Sequence, residues 1–131
     1  MGEIKLGTVG ETTQVVTEAQ TAAVYGSGLV PAFATPAMIA LMEGAGVRAL
    51  QPSLDAGQNS VGVQVDVQHL AATPVGMTVR ARAEVIAIEG RRVTFKVEAW
   101  DDREKIGEGT HVRAVIDDAR FKERLKIKSQ L

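Results

Sequence analysis

Three side chains stand among neighbours of a different character, and each is of a type that does chemistry. Glu43 is the only charged residue between Gln20 and Val47, and on a helix it falls in the stripe Ile39, Glu43, Val47, Leu50. A carboxylate in apolar surroundings carries a desolvation cost that raises its pKa and suits it to act as a base or nucleophile. The alternatives are a helix position that opens to solvent, or an arginine partner across a dimer interface. His69 continues the apolar row Val61, Val63, Val65, Val67 at the point where Ala71-Ala72-Thr73-Pro74 ends the strand. An imidazole there is either a hydrogen-bonded core histidine or a proton donor in a pocket. Thr35 precedes Pro36 at a helix start, where its hydroxyl can cap free amides. The same helix end can stabilise a carbonyl oxygen that gains charge. Thr35 and Glu43 are eight residues apart, about 12 Å along a regular helix, so they meet only through a substrate, a bend or a second chain.

Other features are weaker. Gly26-Ser27-Gly28 lacks the spacing of a nucleophile elbow and reads as a hinge. His111 and Arg113 share one face of the last strand; His111 reads as a surface residue, whereas Arg113 can meet a phosphate or carboxylate. The basic residues Arg120, Lys122, Arg124, Lys126 and Lys128 are a solvated face or a means of steering an anionic cofactor.

The elements that must position these groups follow from period and punctuation. Glu11 to Thr17, rich in Thr and Val, predicts a first strand, and Ala22 to Pro31 predicts a loop or a short broken helix acting as a mobile cover. A helix follows from Thr35-Pro36 to Leu50, apolar on every face in its first half and therefore buried. Period-two alternation then predicts a strand through Val61 to Val67 and another through Val75 to Val85, the latter closing at a Glu89-Gly90 hairpin. A row of Val93, Phe95, Val97 and Ala99 and a last strand from Ile106 to Ile116 follow, and residues 118–131 predict a basic helix or tail. One strand, one buried helix and four hairpin-linked strands describe a single domain over 1–131, class α+β, with an antiparallel sheet wrapped around a long central helix: the hotdog architecture. Such a sheet covers one side of its helix, which predicts a homodimer, with a tetramer possible.

Composition narrows the chemistry. The 131 residues contain no cysteine, two histidines, and 15 basic against 16 acidic side chains. A thiolate nucleophile, a cysteine zinc site and an iron–sulfur cluster are excluded, and the near-zero net charge argues against nucleic acid or an electrostatically held membrane. Aromatics make up 4%, so an apolar pocket must be built of aliphatic and methionine side chains, which suits a small or flexible ligand better than stacked bases. Neither an apolar leader behind Met1 to Gly10 nor a membrane-length apolar run is visible, which predicts a cytoplasmic protein.

Several stretches together carry a family likeness: Phe33-Ala34-Thr35-Pro36, Leu41-Met42-Glu43, Val47-Arg48-Ala49-Leu50, Val67 to Gly76 with its His-x-Ala-Ala-Thr-Pro run, Glu89-Gly90-Arg91-Arg92 and Gly107 to His111. Over about residues 10 to 121 the chain resembles the fluoroacetyl-CoA thioesterase-like branch of the hotdog superfamily. The resemblance implies hydrolysis of a short-chain acyl-CoA thioester by a threonine, a glutamate and a histidine, which fall on Thr35, Glu43 and His69. It implies substrate contacts at Gly62, Phe33 and Arg113, and no metal or cofactor beyond the CoA of the substrate. In fluoroacetyl-specialised members the segment before the threonine is longer and carries phenylalanines; Gly26 and Leu29 stand in that stretch here, so the likeness implies the hydrolytic machinery and not the fluoroacetyl preference. A non-catalytic acyl-CoA or small-carboxylate binding protein on the same fold is the alternative. A hydratase of this fold would set an aspartate and a histidine on the helix, and neither occurs from Thr35 to Leu50.

Overall fold

The computed structural model describes residues 3–131. Strand β1 (Val9–Val15) leads through the short helix α1 (Ala22–Tyr25) to the long helix α2 (Thr35–Leu50). Strands β2 (Gln58–His69), β3 (Thr78–Glu89), β4 (Arg92–Trp100) and β5 (Lys105–Asp117) follow, and helix α3 (Asp118–Ser129) closes the chain. The strands form one antiparallel sheet in the order β1-β3-β4-β5-β2, curled around α2 in the hotdog manner expected. The first strand sits two residues earlier than Thr and Val content suggested, and Thr17 instead opens a 3-10 turn whose Gln20 side chain reaches back to the Thr17 amide.

The core lies between α2 and the concave face of β3 to β5. Met38, Met42, Ala45 and Leu50 of the helix meet Val79, Ala81, Val93, Phe95, Val97 and Ile106, all at most 2% exposed. Gly10 lets β1 lie against the helix, because a Cβ there would run into the backbone at Ala45 and Ala49. The helix is nevertheless not covered all round. Ile39 and Glu43 are half-buried and Ala40 and Val47 are exposed, while Leu50, expected in the same stripe, is buried.

Two expectations about strand faces are corrected. In β2 the odd positions Val65, Val67 and His69 do share the concave side with their β5 partners His111, Gly109 and Gly107. A bulge at Val63, between Gly62 and Gln64, shifts the register, so Gly62 opposite Arg113 takes the concave side and Val61 opposite Ala114 does not. In β5 the buried row is His111, Arg113 and Val115, and the apolar row Val112, Ala114, Ile116 is the half-exposed one. His111 is thus a core residue, 1% exposed, and not a surface one.

Candidate active site

Thr35 is the first residue of α2, with Ala34 in the capping position. Its hydroxyl therefore does not cap the helix as its place before Pro36 suggested. It lies 2.8 Å from His69 Nδ1 at the end of β2, linking the helix start to the strand end. Burial lowers the His69 pKa from its ordinary value, which favours the neutral imidazole. Its Nε2 is buried without a hydrogen-bond partner. Both residues line a cavity of about 350 Å³ beneath the segment after α1, together with Ala22, Gly28, Val30 and Phe33. Phe33, 2% exposed, forms an inner wall.

A second cluster lies two turns down α2. Glu43 is not the unpaired buried carboxylate its neighbours suggested: its side chain is 39% exposed, and Oε2 lies 3.4 Å from Arg113 Nη1. Arg113 is fixed on its other edges, donating from Nε to Ser60 Oγ at 3.0 Å and from Nη2 to the Ser60 carbonyl at 3.1 Å. Its Nη1 also lies 3.1 Å from His111 Nε2. Because guanidinium only donates, His111 Nε2 must accept, which leaves Nδ1–H to donate to the Gln64 carbonyl at 2.8 Å. Burial lowers the His111 pKa and keeps it neutral, against the opposing pull of the Gln64 carbonyl. Stacking on Phe95, with ring centroids 6.3 Å apart, holds the ring in place. Burial also lowers the Arg113 pKa, with Glu43 acting in the other direction. Gly62 completes the cluster: a Cβ there would sit 2.5 Å from Glu43 Oε2, so the missing side chain is what lets the carboxylate oxygen lie against the strand.

The structure thus joins Thr35 with His69 and Phe33, and separately Glu43 with Gly62 and Arg113. Ser60, Gln64 and His111 complete the second cluster, and pattern reading missed them. The signal was Gly62 itself, since a glycine inside a strand marks a bulge, and the bulge swings Ser60 and Gly62 to the helix side. Among the described residues no three His, Asp or Glu side chains converge as metal ligands, and no helix is long and apolar enough to cross a membrane.

Several solved structures of this shape are described as thioesterases. The chain matches the fluoroacetyl-CoA thioesterase at 39% identity and TM-score 0.89, covering 96% of this chain and 98% of that one. It matches a Thermus thermophilus member of the thioesterase superfamily at 32% identity and TM-score 0.90, covering 99% and 98%. Fold and likeness together define a hotdog-fold thioesterase. The description of a fluoroacetyl-CoA-specific thioesterase fits residues 16–119, and the fluoroacetyl-CoA thioesterase of Streptantibioticus cattleyicolor is 46% identical over 97 residues, 74% of this chain and 70% of that protein. The chain belongs to the fluoroacetyl-CoA-specific thioesterase family.

Proposed function

We propose that two copies of this thioesterase together hydrolyse a short-chain acyl-CoA, each site combining Thr35 and His69 of one copy with Glu43 of the other. The observation that carries this reading is the separation of the two clusters on one subunit combined with the open edge of β2. That strand pairs only with β5, and its outer edge carries Val63 and Val65, 44% and 39% exposed, beside the uncovered helix residues Ala40 and Val47. A long, apolar, unpaired edge is a template for a second strand. Antiparallel self-pairing of β2 about a two-fold axis brings the Gly62 end of one strand, and with it Glu43, toward the His69 end of its partner. Dimerisation then covers the helix face and completes the site in one step.

In that arrangement Glu43 accepts a proton from water as the water oxygen attacks the thioester carbonyl carbon. Arg113, 3.4 Å away, holds the carboxylate in place, and the 39% exposure of the Glu43 side chain leaves it open to water. As the carbon–sulfur bond breaks, the Nε2–H of His69 donates a hydrogen bond to the leaving sulfur, and the Thr35 hydroxyl, donating to Nδ1, fixes the ring. The proton taken up by Glu43 passes to the thiolate, and free CoA and a carboxylate leave. Direct attack by Glu43 to give an anhydride is the other route open to the same carboxylate. Single turnover in ¹⁸O water separates the two, since only the anhydride route leaves label in the Glu43 peptide. The absence of phenylalanine at Gly26 and Leu29, the latter 93% exposed, supports unfluorinated short acyl groups as substrates. A CoA thioester substrate, being intracellular, supports a cytoplasmic location. Turnover of acetyl-, propionyl-, butyryl- and fluoroacetyl-CoA by wild type and Glu43→Gln tests the reading: acetyl and propionyl are expected to turn over at least as well as fluoroacetyl, and an equally fast variant contradicts the role of Glu43.

A further inference from the structure

Where β4 begins, β5 ends and α3 starts, Arg91, Arg92, Arg120 and Arg124 line a second cavity of about 240 Å³ together with Phe121 and Asp117. It lies on the sheet face turned away from α2: Arg92 pairs with Ala114, and their neighbours Val93 and Arg113 are the buried ones facing the helix. Elsewhere on the surface some basic residues pair, whereas Lys5, Arg48, Arg103, Lys126 and Lys128 stand without an ion pair among the described residues but do not gather around a cavity. Arg80 meets Glu11, Arg82 meets Glu84, Lys105 meets Glu98 and Glu108, and Lys122 meets Asp118. Among the described residues none of these four arginines forms an ion pair, although the chain as a whole carries a net charge of −1. Asp117, the one carboxylate of the cavity, accepts from the Arg120 amide as the cap of α3.

Four like charges gathered around a cavity repel one another, and an anion between them removes that cost. Guanidinium is the cation that binds phosphate through paired N–H groups. Phe121, half-buried and one of five aromatic residues in the chain, gives the same cavity an aromatic wall for a purine ring. We infer that this arginine cavity binds the phosphates of the substrate's CoA nucleotide, with adenine against Phe121. The inference rests on the thioesterase reading above. The reach is suitable: from Arg113, in the catalytic cluster, to Asp117 at the cavity is four residues, about 13 Å along a strand, a span that the pantetheine arm covers as it turns around the end of the sheet.

The test compares acetyl-CoA with acetyl-pantetheine, which lacks the nucleotide, on wild type and on Arg91→Glu/Arg124→Glu, with an Arg91→Lys/Arg124→Lys control. The charge reversal is expected to raise KM for acetyl-CoA about 100-fold while leaving kcat unchanged. For acetyl-pantetheine kcat/KM should stay within about twofold, and the lysine control should lie between wild type and reversal. In wild type, kcat/KM for acetyl-CoA alone should fall with added salt. Equal loss on both substrates, or no loss on either, overturns the inference. Calorimetric titration with adenosine 3′,5′-bisphosphate decides it even if no thioester is hydrolysed: binding by wild type and not by the reversal supports the cavity as a nucleotide-phosphate site, and equal binding overturns it. Loss of that binding with an unchanged acetyl-CoA KM marks a separate effector site and also overturns it.

Discussion

The start and the middle of helix α2 hold polar residues in opposite ways. At its start, Thr35 and His69 form a neutral pair that opens into a cavity and leaves the buried Nε2 of the ring without a partner. Two turns on, Glu43 sits beside an arginine whose remaining edges are occupied by Ser60 and His111, and its carboxylate oxygen fills the place that a side chain at Gly62 would take. The first region is unsatisfied and waits for a hydrogen-bond partner. The second is built to hold one carboxylate in place. In the proposed reaction the two regions are complementary halves of a hydrolytic site, and no hydrogen bond or ion pair joins the two clusters within one subunit.

Substitutions in the two regions should fail differently, and the largest effect belongs to the one that holds the carboxylate. Glu43→Gln keeps the shape and is expected to lower kcat about 1,000-fold with little change in melting temperature, as measured by steady-state kinetics and calorimetry. His69→Ala should cost about 100-fold in kcat, by the same assay. If it cost more than Glu43→Gln, the imidazole and not the carboxylate would lead the chemistry. Gly62→Ala drives a methyl into Glu43 Oε2; kcat should fall about tenfold with a stability loss of about 1–3 kcal/mol by urea melt, whereas Thr35→Ala, at the open end, should leave stability nearly unchanged. His111→Phe keeps the stacking but strips the acceptor from Arg113 and the donor from the Gln64 carbonyl, for about 1–3 kcal/mol.

The smallest effect is on pH dependence. Both His69 and His111 have folded pKa values lowered by burial, so the unfolded chain takes up protons more readily. Their contribution to stability is complete above the unfolded value of about 6.5 and is lost as the pH falls through the lowered folded values. Urea melts at descending pH should show this decline, and His111→Phe should flatten it in part; an unchanged slope would mean that the ring is not buried neutral.

Much of this was legible in the residues. Alternation gave β3, β4 and the inward row Val93 to Ala99, because strands buried on one side advertise their period, and the apolar run after Pro36 marked the central helix. The three polar residues stood out for the same reason. What pattern could not carry was the bulge. One extra residue at Val63 reverses the face of everything before it, and it turned Ser60 and Gly62 toward the site while the valines still alternated. His111 was misread because its row is interrupted by Gly107 and Gly109, whose missing side chains leave room for Met38 and for the β2 backbone and look polar only on paper. The role of Thr35 was also hidden, since hydrogen bonding to a residue 34 positions away leaves no local trace.

The central claim is that each working site draws on two chains. Glu43→Gln and His69→Ala, each with at most about a hundredth of wild-type activity alone, should be unfolded together, refolded as a mixture and assayed on acetyl-CoA. Half of the dimers are then mixed, and each mixed dimer contains one intact site, so the account predicts recovery of roughly a quarter of wild-type activity. Recovery of none, with mixed dimers demonstrated by mass, would contradict it and return all three residues to a single subunit.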